Sequence, residues 1–365
     1  MKIHLHLGVH KAQPAEDAGS ASAESGEKAS APVGLSRSSF DKKKEFEVCP
    51  KENFLKGVGS SYFEVAKLLP APSSESEDVH SAVNGGACRT LLLTNGQQQN
   101  AQYCEVSDVD FSGFMAGVAG AGPKTTASTV AMKLTGYEDK NMAGSIYGAE
   151  NATVEGSIYL EVATSGATPG KISGTLHADV SGEVEVLLDD KEATYLSPVV
   201  AGDRAPDSSS IIRDGTKLKI VGGTFERPVI AGGLGGIIEG GSMLCIDGGL
   251  FKSKVMAGSY YGSTIRGVAN GTPAVSLLVN KGTFHGEVSA AGWDNNIEGD
   301  VNVFVEDGLF NKTLSGGKIN NLVSGDVLMV IGGGTFKGDV IAGATALRHC
   351  ERHQLRDHQP RLAHA

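Results

Sequence analysis

Three aromatic residues have the types and the spacing of a sugar-binding surface. Tyr260 and Tyr261 are adjacent, and Trp293 is the only tryptophan of the chain. When the repeat described below is aligned on its aromatic anchors, Trp293 falls within one position of the tyrosines, one coil further along. We therefore expect the rings about 5 Å apart on one edge of the molecule. Exposed rings can stack on the apolar C–H faces of sugars; simple packing of loops over a coil corner is the alternative.

A set of residues suited to catalysis cannot be assembled from the sequence. Enzymes that cleave sugar chains need two or three carboxylates, or an acid with an Arg or Lys, on one face. The densest acidic segment, 294–307, lacks the Gly-Gly-x-Gly-x-Asp repeat of calcium sites and is typical of solvated surface. Glu239, Arg266 and Glu298 hold equivalent positions in successive coils, which predicts a surface ion ladder. The sequence favours a non-catalytic protein without cofactor or metal.

A row of outward positions suggests an interface. Residues six positions before each aromatic anchor alternate with core positions, so they are expected to point outward. They are Lys219, Cys245, Leu278, Phe304 and Val330. The last four would form an apolar stripe, and exposed apolar surface often marks an interaction site. A loop or an N-terminal segment that covers the stripe is the alternative, and Cys245 is expected to be a free thiol.

These candidate residues are positioned by a repeat in the second half of the chain. Each copy has an aromatic residue, three spacers, an apolar residue, a variable position, Ala or Gly, and then Gly. It reads FERPVIAG at 225–232, FKSKVMAG at 251–258, FNKTLSGG at 310–317 and FKGDVIAG at 336–343. The anchors at 225, 251, 284, 310 and 336 recur with a period of about 26 residues. Such a period indicates a solenoid and says little about its ligand.

One coil of the repeat contains three predicted strands. The positions five and seven residues before each anchor are always apolar, as Leu218 and Ile220 are before Phe225. A Gly-rich corner then lets the aromatic side chain point inward. A second short strand begins at Val229, and a third contains Ile238. This pattern predicts an all-β fold, a right-handed parallel β-helix of triangular turns whose aromatic residues form the core.

Weaker copies of the repeat extend the solenoid towards the N-terminus. The copies anchored at Tyr195, Tyr137 and Phe111 have predicted second strands at Val199, Met142 and Phe114. A degenerate coil at 158–180 has Pro169 near the expected anchor. The predicted solenoid covers 105–343 in about nine coils, which would be about 40 Å long at the usual strand spacing.

Composition agrees with this architecture and excludes some partners. The chain has 50 glycines and only 12 prolines, as expected for a corner-rich β fold with one thin core. Its net charge of −10 disfavours nucleic acid as a partner. The sequence contains no apolar run of membrane-spanning length, so no membrane span is predicted.

Both ends of the chain depart from the repeat. Residues 1–45 are predicted to be a disordered leader, rich in Ala, Ser, Gly, Glu and Lys. Residues 46–104 are predicted to cap the solenoid, with a short helix at 61–69 and a strand pair at 87–93 and 101–106. The His-rich tail, 344–365, has the composition of translation in the wrong frame, and a metal site at 349–353 is the alternative.

The first eleven residues, MKIHLHLGVHK, resemble the opening strand and loop of bacterial sulfotransferase-like P-loop domains. The hydroxyl residues and glycine that would bind phosphate do not follow Lys11, where the sequence continues Ala-Gln-Pro-Ala. The apolar stretch is also short and contains His4 and His6, so it does not predict a secretion signal.

The repeats resemble those of a known class of proteins. The Gly-Gly-Thr-Phe phrases at 222–225 and 333–336, with Val-Ile-Ala-Gly after them, are similar to the repeats of large bacterial β-helix surface proteins. That class includes autotransporter passenger domains and adhesin-like proteins. The resemblance spans about 105–343. It implies an exported protein, extracellular or displayed on the cell surface, that acts in attachment.

Three functional hypotheses follow. The first is a non-catalytic surface or secreted β-helix, an adhesin or stalk that binds glycans or proteins along its faces. The second is a polysaccharide lyase or glycoside hydrolase, because many such enzymes use this fold with a groove along one sheet. The third is a truncated fragment without independent function, as both ends suggest. The sequence leaves the oligomeric state open.

Overall fold

The computed structural model describes residues 129–135, 144–168, 170–267, 272–317 and 322–343, together with five strands nearer the N-terminus. Those strands are Ile3–Leu7, Cys88–Leu92, Gln102–Ser107, Phe111–Ala119 and Thr126–Ala127. All regular structure in this part of the chain is β-strand, and every strand pairing is parallel. None of the described segments is a helix that could cross a membrane.

Four stacked parallel sheets form the walls of the solenoid, and two of them have ten strands. The first sheet contains, in stacking order, β3 (Gln102–Ser107), β6 (Val130–Thr135), β9 (Ile158–Ala163), β13 (Val184–Leu188), β17 (Thr216–Ile220), β21 (Ser242–Ile246), β26 (Val275–Val279), β31 (Val301–Val305), β35 (Val327–Ile331) and β1 (Ile3–Leu7). The third sheet contains β2 (Cys88–Leu92), β4 (Phe111–Ala119), β7 (Ser145–Glu150), β11 (Ile172–Leu176), β15 (Val199–Asp203), β19 (Val229–Ile230), β23 (Val255–Met256), β28 (Val288–Ser289), β33 (Leu314–Ser315) and β37 (Val340–Ile341).

The second and fourth sheets are built from shorter strands. The second contains β10 (Ala167–Thr168), β14 (Thr194–Tyr195), β18 (Thr224–Phe225), β22 (Leu250–Phe251), β27 (Thr283–Phe284), β32 (Leu309–Phe310) and β36 (Thr335–Phe336). The fourth contains β5 (Thr126–Ala127), β8 (Thr153–Val154), β12 (Asp179–Val180), β16 (Ile211–Ile212), β20 (Ile237–Glu239), β25 (Thr264–Arg266), β30 (Asn296–Glu298) and β34 (Leu322–Val323). A small fifth sheet pairs β24 (Ser259–Tyr260) with β29 (Gly292–Trp293).

The solenoid prediction is confirmed, with one correction to the coil. In the seven coils from β9 onward, the aromatic anchor (Thr168 in the first of them) and the residue before it form an additional two-residue strand that was not predicted. Thr224 and Phe225, for example, pair in register with Leu250 and Phe251. Among the described residues, seven turns have this second-sheet strand, and the first sheet has nine strands from β3 to β35.

A ladder of stacked aromatic rings fills the core along the second sheet. The rings belong to Tyr195, Phe225, Phe251, Phe284, Phe310 and Phe336, with neighbouring centroids 4.7 to 4.9 Å apart. This spacing matches the distance between hydrogen-bonded strands, so each ring lies directly over the equivalent ring of the previous coil. The predicted internal aromatic ladder is therefore present.

Glycine makes the corner that precedes each phenylalanine. The glycine two residues before the anchor has positive φ in five coils, as at Gly223 (100°) and Gly249 (117°). A Cβ at Gly223 would lie 3.0 Å from the Ala193 carbonyl oxygen. A side chain there would therefore be strained by the backbone conformation and crowded by the coil below. The corner resets the alternation of side chains and points the phenylalanine inward.

The N-terminal coils differ from the predicted alignment. Thr168, one residue before the predicted Pro169, is in register with Tyr195. The third-sheet position of Val199 is held two coils earlier by Ile146, four residues beyond the predicted Met142. In the coil before that, Met115 holds it and not Phe114. The predicted register was wrong there, and in the coil directly before Tyr195 the position of the anchor is held by Thr168, which is too small to fix an alignment.

The predicted strand pair at 87–93 and 101–106 was wrong in its pairing. β2 pairs with β4 in the third sheet and β3 pairs with β6 in the first, so the two strands are parallel rungs of different walls. The side chain of Tyr137, residue Pro169, the helix expected at 61–69 and the tail at 344–365 lie outside the described residues. The leader is described only at β1, which pairs with β35.

The aromatic ladder should make single-ring deletions costly in its middle. Phe284→Ala removes a fully buried ring that stacks on two neighbours, and we expect it to lower the free energy of unfolding by about 3 to 5 kcal/mol. Phe336→Ala at the half-buried end of the ladder is the matched control and should cost less. Urea unfolding followed by circular dichroism measures both; equal losses would contradict the ladder's role.

A substitution at Tyr195 should increase the stability of the fold. Its ring is buried, and its hydroxyl has no hydrogen-bond partner among the described residues. Burial, followed by the nearby carboxylates of Asp190 and Asp189, raises the pKa of this phenol, so it stays neutral. Removing an unsatisfied buried hydroxyl should stabilise the fold by about 1 kcal/mol. We therefore expect Tyr195→Phe to raise the urea midpoint; a lower midpoint would show that the hydroxyl has a stabilising contact.

Candidate functional site

The fifth sheet brings the three candidate aromatic residues together. Tyr260 and Trp293 are in register in adjacent coils, and Ser259 is in register with Gly292. The Tyr261 N–H donates to the Trp293 carbonyl at 3.1 Å. The Tyr260 N–H donates to the carbonyl of Gly233, in the coil before, at 2.9 Å. Backbone pairing therefore fixes the height of each ring along the stack.

The rings meet at an angle and do not form one flat platform. Tyr260 and Tyr261 have centroids 4.0 Å apart and planes inclined by 55°. Tyr260 and Trp293 are 6.3 Å apart and inclined by 77°, not about 5 Å as predicted. The separation is larger because these two rings meet edge to face, an arrangement that their quadrupoles favour. The three rings thus form a cluster in which the planes of neighbouring rings are steeply inclined to each other.

Lys254 completes this cluster, and the sequence analysis missed it. Its Nζ lies 3.8 Å from the centroid of the Trp293 ring and 5.8 Å from that of Tyr260. A cation this close to aromatic faces is attracted by their negative quadrupole. Lys254 stands immediately before β23, one coil before Trp293. Alignment of the repeat could therefore have placed Lys254 near that ring. We call Lys254, Tyr260, Tyr261 and Trp293 the edge cluster.

The edge cluster rests on an apolar strip outside the third sheet. Val200, Ile230 and Met256 occupy one register row on the outer face of that sheet and are buried. Tyr260 and Trp293 are partly buried and pack against them. Packing over the corner is therefore one role of these two rings. The underlying contact also holds them in fixed orientations.

Tyr261 is the projecting member of the edge cluster. Its side chain is 50% exposed, and its φ of 60° is in the left-handed region. The register pairs Tyr260 with Trp293 but Thr264 with Asn296, so one extra residue lies between the two pairs in the tyrosine-bearing coil. In solenoids, insertions into single coils are often found on the binding face. The insertion is a signal in the sequence that could have marked the corner that carries Tyr261.

A hydrogen bond links the two tyrosines. The Tyr260 hydroxyl donates to the Tyr261 hydroxyl over 3.2 Å. This bond, followed by partial burial, raises the pKa of Tyr260 above its ordinary value. The Tyr260 phenol is therefore protonated at neutral pH. Both hydroxyl groups can form hydrogen bonds with a ligand.

Asn295 clamps the backbone below the edge cluster. Its side-chain amide donates to the Ser259 carbonyl at 2.8 Å and to the Ala291 carbonyl at 2.7 Å. Asn295 is 6% exposed, so these bonds form away from solvent. They add to the backbone hydrogen bonds that join the two coils of the fifth sheet. The clamp makes the site rigid before any ligand arrives.

The predicted outward row of the first sheet is present but only partly exposed. Lys219, Cys245, Leu278, Phe304 and Val330 are in register in successive coils. Cys245 and Leu278 are 2% and 0% exposed and form a small cluster with Met243 and Phe304. Of the apolar stripe that was expected to be exposed, only Phe304 and Val330 reach the surface, and both are partly buried.

The predicted ion ladder is present and has one more rung. Arg266 contacts Glu298 at 2.9 Å and Glu239 at 3.5 Å, and Glu239 also contacts Arg213 at 3.1 Å. All four side chains are at least one-third exposed. Solvent weakens such pairs, which are worth about 1 kcal/mol or less each. These acids are paired with arginines and provide no free catalytic carboxylate.

Asp203 is a buried acid with a structural role. Its carboxylate accepts from the backbone N–H groups of His177 (3.3 Å) and Ala205 (2.7 Å), and from the hydroxyl groups of Ser208 and Ser210. Four donors satisfy both oxygens, which is the condition for burying a carboxylate at low cost. Asp203 therefore holds the loop between β15 and β16.

Known proteins provide no further guide to the site. No protein-family model, curated protein or solved structure matches this chain. Among the described residues, no group of three or more His, Cys, Asp or Glu side chains is arranged to hold a metal ion. The geometry of the edge cluster is therefore the feature of this chain that points to a function.

Cys245 should be an unreactive thiol. Burial, followed by the Asp247 carboxylate, raises its pKa to about 12, and the thiolate is the reactive form. We expect native Cys245 to be alkylated by iodoacetamide at pH 8 at least about tenfold more slowly than in 8 M urea. Mass spectrometry of the peptide that contains Cys245 measures both rates. Rapid labelling of the folded chain would show that the outward row is accessible.

Proposed function

We propose that this chain is a non-catalytic β-solenoid that binds glycans through the edge cluster. The observation that carries the proposal is the convergence of three aromatic rings and one lysine on a single rigid corner. The repeat also resembles those of bacterial surface β-helix proteins, which supports a role in attachment outside the cell. The long stack then acts as the stalk that holds the site.

The chemistry of the edge cluster fits a sugar ring. The half-exposed face of Tyr261 offers an apolar surface for the C–H groups of a pyranose. The hydroxyl groups of Tyr260 and Tyr261 lie beside that face, 3.2 Å apart, and can bond sugar hydroxyls. Lys254 adds charged N–H donors at the same corner. An apolar face with a few fixed polar groups is the usual composition of a small-ligand site.

The rigidity of the corner supports binding without a large conformational cost. Trp293 and Tyr260 are held by the apolar strip below them and by register pairing between coils. Aromatic side chains have few rotatable bonds, and here those bonds are already constrained. Little side-chain entropy is then lost when a ligand binds, so a small contact area can give useful affinity.

The unique tryptophan provides a direct test. Trp293 fluorescence reports binding of oligosaccharides first identified on an immobilised glycan panel. Tyr261→Ala should raise the dissociation constant of a selected glycan about tenfold, since it removes the projecting aromatic face. Trp293→Ala should raise it at least as much when binding is followed by calorimetry. Leu322→Ala is the matched control, because Leu322 is exposed but lies in the fourth sheet.

The outcomes separate glycan binding from the alternatives. A panel that contains neutral and acidic oligosaccharides and gives no signal above background contradicts the proposal. So does a glycan whose affinity is the same for the parent chain, Tyr261→Ala and Trp293→Ala. If the same substitutions instead abolish capture of a purified protein partner, the edge cluster is a protein-binding site and the glycan assignment is wrong.

A further inference from the structure

The two ends of the described solenoid are stepped. At the C-terminal end, β1 pairs with β35 and extends the first sheet one strand beyond the coil that contains β35 and β37. At the N-terminal end, β2 pairs with β4 and extends the third sheet one strand before the coil that contains β3 and β4. Each end therefore has one wall that is a strand longer, the first wall at one end and the third wall at the other.

These two steps are complementary. In a second copy that continues the stack on the same axis, β3 would pair with β1 of the first copy, and β2 would pair with β37 of the first copy. β1 and β2 would then lie at the same level, each in its own wall. Without β1, β3 would pair directly with β35, and β2 would fall on the level that β37 already holds. Both walls are therefore in step only when β1 is docked.

The rows of core positions continue through such a joint. In the first sheet, Leu5 is in register with Met329, and Cys104 lies in the same row at the other end of the sheet. In the third sheet, Leu91 and Val340 are the two ends of one row. The joint would pair Leu5 with Cys104, Leu7 with Val106, Val340 with Leu91, and Ile3 with Gln102. Three of these four pairs are apolar in both members, as the core of a coil requires.

A row outside the core continues in its alternation of charge. The Lys133 Nζ lies 3.1 Å from the Glu161 Oε1, and Glu105 is in register with Lys133 on the other side. His6 is in the same row at the opposite end of the first sheet. In the joint, His6 would be in register with Glu105, so basic and acidic residues would alternate over four successive strands. Neighbours of opposite charge stabilise strand pairing, and like charges oppose it.

We propose that copies of this chain stack head to tail through a shared coil, to which one copy contributes β1 and the next contributes β2. The edge of a strand has unpaired N–H and C=O groups, which readily pair with another chain. Val340 is half-buried at the C-terminal edge, whereas the equivalent Leu314 in the coil before it is fully buried. A second copy would bury the apolar surface that remains open there. The contact joins two different surfaces, so it extends in a line.

Substitutions in the two halves of the shared coil test this proposal in the full-length chain. Leu5→Lys alters the C-terminal step and Leu91→Lys the N-terminal step, and each places an ammonium group at a core position of the joint. Thr90→Lys is the matched control, because its row contains the half-buried Ser145.

Light scattering after size exclusion, over a range of concentrations, measures the association. Salt at about 0.15 M screens the net charge of −10. With increasing concentration, the parent chain and Thr90→Lys should show at least about a twofold rise in weight-average mass. Leu5→Lys and Leu91→Lys should each keep the mass of a single chain.

A mixture of the two variants separates the shared coil from other surfaces. Leu5→Lys retains an intact N-terminal step, and Leu91→Lys retains an intact C-terminal step. Their equimolar mixture should therefore form one-to-one dimers and no longer species. Circular dichroism shows whether each variant is folded, and Leu5→Asn or Leu91→Asn replaces one that is not.

Three results would overturn the proposal. The first is a parent chain that keeps the mass of a single chain at every concentration. The second is a folded variant of Leu5 or Leu91 that associates as the parent does, because the association then uses another surface. The third is a mixture of the two folded variants that contains no dimer, because each then still has the step that the other lacks.

Discussion

Parallel, in-register pairing between coils is the constraint on which the whole structure depends. It places each side chain directly over its equivalent in the previous coil, at about the 4.8 Å spacing of hydrogen-bonded strands. The stacked phenylalanine rings, with centroids 4.7 to 4.9 Å apart, satisfy that spacing and fill a narrow core. The same rule aligns Glu239, Arg266 and Glu298 into an ion ladder and sets Tyr260 beside Trp293. One geometric rule therefore produces both the core and the surface rows.

The rule also explains which parts of the fold could be predicted. Each phenylalanine anchor is large and recurs in every C-terminal coil, so alignment on it gave the correct register for the core and for the outward row. The number of strands per coil was not predictable in the same way. A two-residue strand such as Thr224–Phe225 has no alternation to detect, and its hydrogen bonds come entirely from the coils on either side. In the coil directly before Tyr195, Thr168 replaces the aromatic ring, and the alignment was wrong in the coils that precede it.

The candidate site was predictable only in its residue types. Alignment placed Tyr260, Tyr261 and Trp293 near one another, but ring orientation depends on contacts that a repeat pattern does not encode. The side chain of Lys254 folds over Trp293 in the next coil, and Asn295 bonds carbonyl groups in both coils. Lys254 and Asn295 lie outside the strands, where neither periodicity nor burial preference fixes a side chain. The repeat thus predicts where a site can be, and the corner residues decide its shape.

The position of the edge cluster within the stack follows from how solenoids gain stability. Each coil is stabilised by the coils above and below it, so an interior coil tolerates local strain better than a terminal one. Tyr261 and Asp294 both have positive φ, which costs on the order of 1 kcal/mol for a non-glycine residue. They lie in coils anchored by Phe251 and Phe284, each of which stacks on rings at both faces. The interior of the ladder can therefore offset a strained, projecting corner, and a terminal coil such as that of Phe336, which has a described ring on one side only, could not do so equally well.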